Sequence, residues 1–278
     1  MPEHRDCYTV SQVVKFAKVE KGLACERELW FAIHHYPQIY TPLIARYILI
    51  HDLGVSSFRL EPELIDIHSR KDFVKTYQRR MEELWNSDGI LKQDKNRIMA
   101  DNKGFNVDDF WTQHGIPFVE ASAPERWNQI KEIKEEGKLI STFVEHEIPK
   151  LLQKNKLYCD RFSRLLCARP DVLRQFENGL LQMIEVRVGV PNIFDELKTS
   201  LYGVSVEDEF FEPIEAYISY LPRGPKKQIV FDEYESEASG LIKDLEERNY
   251  ESLKLQEVIE NKKYCENKRQ CVYRTACR

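Results

Sequence analysis

Nowhere does the sequence approach the roughly 20 consecutive apolar residues that span a bilayer, and its opening residues lack the apolar core of a secretion signal. Both absences point to a cytoplasmic protein that does not enter a membrane. Glycine and proline are sparse, 11 and 12 of 278 residues, and no internal repeat is visible. Disorder is not expected from such a composition. Positive charge is not in excess either, with 41 Lys and Arg against 46 Asp and Glu and a formal net charge of -5. That balance argues against a body coated in basic residues, though not against a locally basic groove on an acidic surface.

What is present, 42% hydrophobic and 31% charged residues, suits a globular protein with charge-covered helices, one elaborated domain or two small ones. Helical spacing runs through residues 9–33, with Leu29, Trp30 and Ile33 on one side. It resumes from Thr41 to about Asn86, where Gly54 to Ser57 reads as a turn. Residues 86–124 are rich in Asp, Asn, Gly and Trp without a steady period, which predicts a loop-rich insertion. A helix is expected again over 125–153, with Gly137 able to split it. After Lys156 the pattern turns strand-like, over 157–159, 164–173 and 180–188, with a turn at Glu177, Asn178 and Gly179. Residues 207–221 read as an amphipathic helix, 228–231 as a short strand and 235–262 as a charged helix. That order gives an α/β fold class with a helical addition. The boundaries fall as a mainly helical region over 1–135, a core over 136–240 and a C-terminal helix with a cysteine-rich tail over 241–278.

The chemistry-bearing signal is Asp171 followed by Glu185 and Arg187. In an extended segment Ile184, Val186 and Val188 take one face while Glu185 and Arg187 share the other. Two carboxylates holding Mg²⁺ or Mn²⁺ and a neighbouring cation are what phosphodiester hydrolysis requires. Register decides whether they meet. A two-residue turn at Asn178 and Gly179 pairs Asp171 with Val186 and sends the carboxylates to opposite faces. A three-residue loop over 177–179, with Gly179 left-handed, sets Asp171 opposite Glu185. The latter is expected. The bland alternative is a surface hairpin with a weak cross-strand ion pair.

Seven cysteines without secretory features favour metal binding, catalysis or burial over disulfides. Cys265, Cys271 and Cys277 are separated by five residues each, and Cys25 stands far upstream. Four thiolates hold an iron-sulfur cluster or zinc, and the absence of a CxxC pair favours the cluster. Such a clip ties the two ends of the chain together. Cys7, Cys159 and Cys167 fall outside the set, and the last two read as buried thiols in strands.

Together these residues resemble the PD-(D/E)XK superfamily, and within it the RecB-like iron-sulfur exonucleases of the CRISPR-associated type. The resemblance implies a restriction-endonuclease-like mixed sheet flanked by helices, with a helical N-terminal insertion. It assigns Asp171, Glu185 and Arg187 to catalysis, and Cys25, Cys265, Cys271 and Cys277 to a 4Fe-4S cluster. Mg or Mn would be held by Asp171, Glu185 and a helical histidine. His146 is preferred for that role over His51, because His51 would demand an insertion of roughly a hundred residues inside the core. Two departures stand out. Arg187 replaces the family's lysine and cannot supply a neutral amine. The family's glutamine four positions before a helical tyrosine has no match, since Pro213 occupies that place before Tyr217.

The implied activity is a metal-dependent deoxyribonuclease acting on single-stranded DNA ends in CRISPR spacer acquisition, in contact with the integrase. The basic tail, Lys262, Lys263, Lys268, Arg269, Arg274 and Arg278, could guide the backbone. The alternative is a catalytically impaired homologue acting as a nucleic-acid-binding or scaffold protein, and an unrelated zinc or redox protein stands third.

Overall fold

Residues 181–188 carry apolar side chains on both sides, and a strand of that kind must be covered on both faces. In the computed structural model, which describes residues 7–36, 38–87, 89–144, 147–148, 157–210, 214–222, 226–258, 273 and 277, this segment is the centre of a five-stranded sheet. The chain begins with β1 (Cys7–Thr9), α1 (Val10–Glu20), α2 (Glu26–Ile33), α3 (Pro42–Ser57), α4 (Glu61–Leu64), α5 (Arg70–Ser87), α6 (Gly89–Asp101), α7 (Val107–Phe110) and α8 (Ile116–Glu136). It continues with β2 (Leu139–Val144), β3 (Leu157–Cys159), β4 (Leu165–Ala168), β5 (Val172–Phe176), β6 (Leu181–Val188), α9 (Ile193–Phe210), β7 (Ile214–Leu221), β8 (Lys226–Ile229) and α10 (Asp232–Arg248). The large sheet runs β2-β5-β6-β7-β8, antiparallel except for β6 and β7, which α9 connects in parallel. A small sheet, β1-β4-β3, stands beside it.

The large sheet separates two cores. Leu173, Leu181, Met183 and Ile218 pack with α1, α2, α9 and α10. Val172, Phe176, Ile184 and Val186 face the other way, against α3, α5 and α8. The first 135 residues are thus divided between the two faces. The fold is mixed α/β with helices flanking the sheet, as expected, and among the described residues no helix is long and apolar enough to cross a membrane.

Several local expectations are corrected. Gly54 is no turn: α3 continues through it, because a Cβ there would meet Val186 and Leu221 at 3.2 Å, so glycine lets the helix settle directly on β6 and β7. Residues 86–124 are largely helical. Asn106 caps α7 by accepting from Asp108 and Asp109 N–H, and the Trp85, Phe110 and Trp111 rings stack into a buried seam that irregular composition hides. The helix expected over 125–153 ends at Gly137 (φ +141°), and Leu139–Val144 leaves it to pair with β5. Residues 207–221 are not one helix but the end of α9 and the buried strand β7, whose aromatic and β-branched residues suit a sheet centre. The last helix stops at Arg248, where Asn249 turns left-handed at φ +47°.

One charged cluster fastens the α3–α8 region to the sheet. Glu61 is fully buried and receives Arg126 at 2.6 Å from α8 and Arg174 Nε at 2.8 Å from β5, while the Thr142 hydroxyl of β2 donates at 2.9 Å. Both guanidiniums also lie over the Phe58 ring. Burial pushes the Glu61 carboxyl up, but the two guanidiniums outweigh it and hold the group at about 2. A carboxylate depressed in the fold contributes stability that is present above its unfolded pKa of about 4.3 and is lost as pH falls through about 2. Glu61→Gln, which leaves two buried cations short of a counter-charge, is expected to cost about 3–5 kcal/mol in urea unfolding. The variant should also lose part of the wild-type loss of stability between pH 4.3 and 2. An unchanged acid profile would show that the cluster is not a fastening.

Candidate active site

The hairpin adopts the expected register. Val172 pairs with Ile184, Leu173 with Met183, Arg174 with Gln182 and Gln175 with Leu181, and the same count sets Asp171, just before β5, opposite Glu185. Gly179 stands at φ +86°, its N–H donates to Phe176 O at 3.1 Å, and Phe176 N–H donates to Leu180 O at 3.0 Å. The loop therefore spans residues 177–179 with a left-handed glycine, which costs little only without a Cβ. The pair is not on a solvent face as a surface hairpin would have it: Asp171 and Glu185 are buried, and α9 covers them.

The two carboxylates experience opposite fates. Burial raises the Asp171 pKa, but the charge and hydrogen bond of His51, the Lys198 charge and the Val186 N–H (2.8 Å) together bring it down to about 2. Glu185 is raised, first by burial and then by the charge of Asp171, against the pull of Lys198 and Arg187. Lys198 Nζ lies 2.6 Å from Glu185 Oε1 and a terminal nitrogen of Arg187 lies 3.5 Å from the same oxygen. Glu185 Oε2 is buried and has no hydrogen-bond partner among the described residues. Leaving a carboxylate oxygen in that condition is costly.

Because Gly54 lets α3 approach β6, His51, one turn earlier, reaches the carboxylates: its Nε2 is 3.4 Å from Asp171 Oδ2. Its Nδ1 faces Asp52 Oδ1 at 3.4 Å, a neighbour that orients an imidazole and leaves the other nitrogen for the site. Burial disfavours charge on His51, yet Asp171 and Asp52 outweigh it and raise the pKa well above the ordinary value. His146 lies outside the described residues. The insertion that counted against His51 is accommodated by α4–α8 packing over one face of the sheet.

Sequence reasoning missed Lys198, Asp195 and Asp52. Asp195 Oδ1 is 3.1 Å from Arg187 Nε. The signal for this region was present in Asn192 and Asp195, three apart: Asn192 Oδ1 accepts from Phe194 N–H at 3.0 Å and Asp195 Oδ2 accepts from Asn192 N–H at 3.0 Å, a reciprocal cap that starts α9. With the helix placed there, Lys198 stands four residues before Tyr202, and its ammonium lies 5.2 Å from that ring. Ion pairing with Glu185 outweighs burial and raises the Lys198 pKa, so it remains an ammonium.

Of the cluster cysteines, Cys265 and Cys271 lie outside the described residues. Cys25 is buried at the start of α2 and makes no side-chain capping bond. Cys277 N–H donates to Tyr273 O at 3.0 Å, and Tyr273 stacks on Phe31 of α2 at 5.2 Å. Trp30 of the same helix and His34, just after its end, bond Leu253 O and Tyr250 O at 2.7 and 3.0 Å. Tyr250, Leu253 and Tyr273 thus lie against α2 and the residue that ends it. Cys159 and Cys167 are buried in β3 and β4, and burial pushes the Cys159 thiol up to about 11.

Among the described residues no three His, Cys, Asp or Glu side chains converge as a ready ligand set; the carboxylates are neutralised instead by His51, Lys198 and Arg187. The sequence matches no protein-family model and no curated protein. Lys198→Met removes the nearest counter-charge of a buried carboxylate and is expected to cost on the order of 3 kcal/mol in urea unfolding. Adding Glu185→Gln should recover most of that loss. Additive effects of the two substitutions would contradict the pairing.

Proposed function

We propose that the chain is a metal-dependent deoxyribonuclease of restriction-endonuclease-like design acting on single-stranded DNA ends, with trimming for CRISPR adaptation as the setting the resemblance implies. The observation that carries the reading is Glu185 Oε2, buried and unpartnered among the described residues, on the strand beside Asp171 in the register that brings both carboxylates to one face. An imidazole nitrogen and two carboxylates form a hard, borderline donor set that suits Mn²⁺ or Mg²⁺. His51, Asp171 and Glu185 would hold the ion, which when bound supplies Lewis acidity and a water of lowered pKa.

The remaining work falls to the chain's own cations. Asp195, 3.1 Å from its Nε, holds the Arg187 guanidinium beside Glu185, where it would pair with a phosphate oxygen of a bound strand. Lys198, from the neighbouring helix, restores the ammonium that Arg187 displaced from the strand. Its charge is maintained by Glu185, so it stabilises developing negative charge on the phosphate and does not remove a proton. Asp52 holds the imidazole of His51 in place.

We further infer that Cys25, Cys265, Cys271 and Cys277 hold a 4Fe-4S cluster that ties the tail to α2; the support is the return of Tyr273 and Cys277 to that helix. Iron and acid-labile sulfide measured on anaerobically purified protein should reach about four of each per chain, and zinc without sulfide would contradict the cluster. For the nuclease, Mn²⁺-dependent digestion of single-stranded DNA by the wild type is expected to fall at least roughly a hundredfold in Asp171→Ala and Glu185→Ala, and Lys198→Ala should lower kcat far more than it changes KM. Activity that survives both carboxylate substitutions would overturn the assignment.

A further inference from the structure

Two features flank the carboxylates without taking part in the chemistry above. On one side, Tyr47 lies one turn before His51 on α3, 45% exposed, with its ring centroid 6.2 Å from the His51 ring and the planes 22° apart. An aromatic ring that lies against a half-buried imidazole and is itself nearly half exposed is a stacking platform. Leu43, a further turn out, is 54% exposed and extends the same apolar stripe away from the site. On the other side, Lys15, Lys18 and Lys21 follow one face of α1. Lys18 and Lys21 sit 5.4 and 5.3 Å from the ring of Phe194, at the start of α9. Lys15 is paired with Glu28 at 3.3 Å and Lys21 with Glu237 at 3.7 Å. Half-buried Lys18 has no ion-pair partner among the described residues.

Arg187 joins the two sides. Phe194, which lies beneath Lys18 and Lys21, immediately precedes Asp195, whose Oδ1 is 3.1 Å from Arg187 Nε, and a terminal nitrogen of Arg187 is 3.5 Å from Glu185, the residue opposite Asp171 and so opposite the His51 and Tyr47 side. Arg187 and Lys198 are met by Asp195 and Glu185, whereas Lys18, half-buried over Phe194 on the same side, meets no carboxylate among the described residues. Such an arrangement is relieved by an anion. A phosphodiester with an unpaired base one nucleotide away matches both the cationic and the aromatic side. A paired duplex end would keep its bases stacked on one another and leave Tyr47 nothing to receive.

We propose that a single strand of DNA crosses the site between α3 and α1, one unpaired base stacking on Tyr47 and a phosphate next to the scissile one held by Lys18. This rests on the nuclease reading and names how the substrate is selected. It also assigns the selection to described residues of α1 and α3 and not to the basic tail.

The test is fluorescence anisotropy of full-length protein with a short labelled oligodeoxynucleotide in EDTA, which prevents cleavage, so binding is read independently of catalysis. Tyr47→Ala should weaken single-strand binding roughly tenfold, Tyr47→Phe should retain it, and a blunt duplex should be insensitive to both. Lys18→Ala should weaken binding and lower the slope of log Kd against log salt by about 0.7, one phosphate contact to a single strand. Thermal unfolding of each variant checks that the fold is kept. Equal affinities for Tyr47→Ala and wild type, an unchanged salt slope in Lys18→Ala, or no measurable single-strand binding would overturn the proposal. If these variants behave as wild type while Asp171→Ala abolishes cleavage, the nuclease reading stands and this one falls. The reverse pattern, sensitive binding without any cleavage, supports this inference and removes the nuclease.

Discussion

The register of the β5–β6 hairpin decides almost everything else about the molecule. A strand's side chains alternate with a period of two, so a slip of one residue would exchange every contact on both faces. Gly179, left-handed at φ +86°, selects the three-residue loop and with it one of the two possible outcomes. In that outcome Asp171 and Glu185 share the face covered by α9, while Arg174, between them in the alternation, points the other way to Glu61. A single turn thus sets both the candidate site and the fastening of the α3–α8 region to the sheet.

Those two clusters illustrate when a buried carboxylate is structural. Glu61 is met by two guanidiniums and a hydroxyl, and the sum drives its pKa to about 2 despite burial. Every strong acceptor site has a donor, which is the condition under which buried ion pairs are tolerated. Glu185 is equally buried but has one oxygen crowded by Lys198 and Arg187 and the other unmet, with Asp171 adding repulsion. On the reading proposed above, a divalent cation would satisfy the orphaned oxygen and relieve the repulsion together.

Much of this was legible in the residues, and the limits have physical causes. The hairpin turn, the shared face of Asp171 and Glu185 and the buried thiols of Cys159 and Cys167 follow from short-range rules that tertiary packing does not alter. Gly54 misled because a helix glycine looks the same whether it breaks a helix or admits a neighbouring strand, and only Val186 and Leu221 distinguish the cases. The segment 207–221 misled because Pro213 and an apolar run fit a helix start as well as a buried strand. That error hid Lys198, which enters the site only when α9 begins at Ile193. The choice between His51 and His146 rested on chain distance; His51 is found 3.4 Å from Asp171, with α4–α8 between them in sequence packed over a sheet face, and His146 lies outside the described residues.

On the proposed reading, His51, Asp171 and Glu185 form one divalent-cation site. Anomalous diffraction at the manganese edge from crystals grown with Mn²⁺ tests it most directly. A single strong peak bounded by His51 Nε2 and the two carboxylates is expected, with Glu185 Oε2 on the ion and Lys198 still on Oε1. Absence of a peak there, or a peak at His146 with His51 still against Asp171, would contradict it.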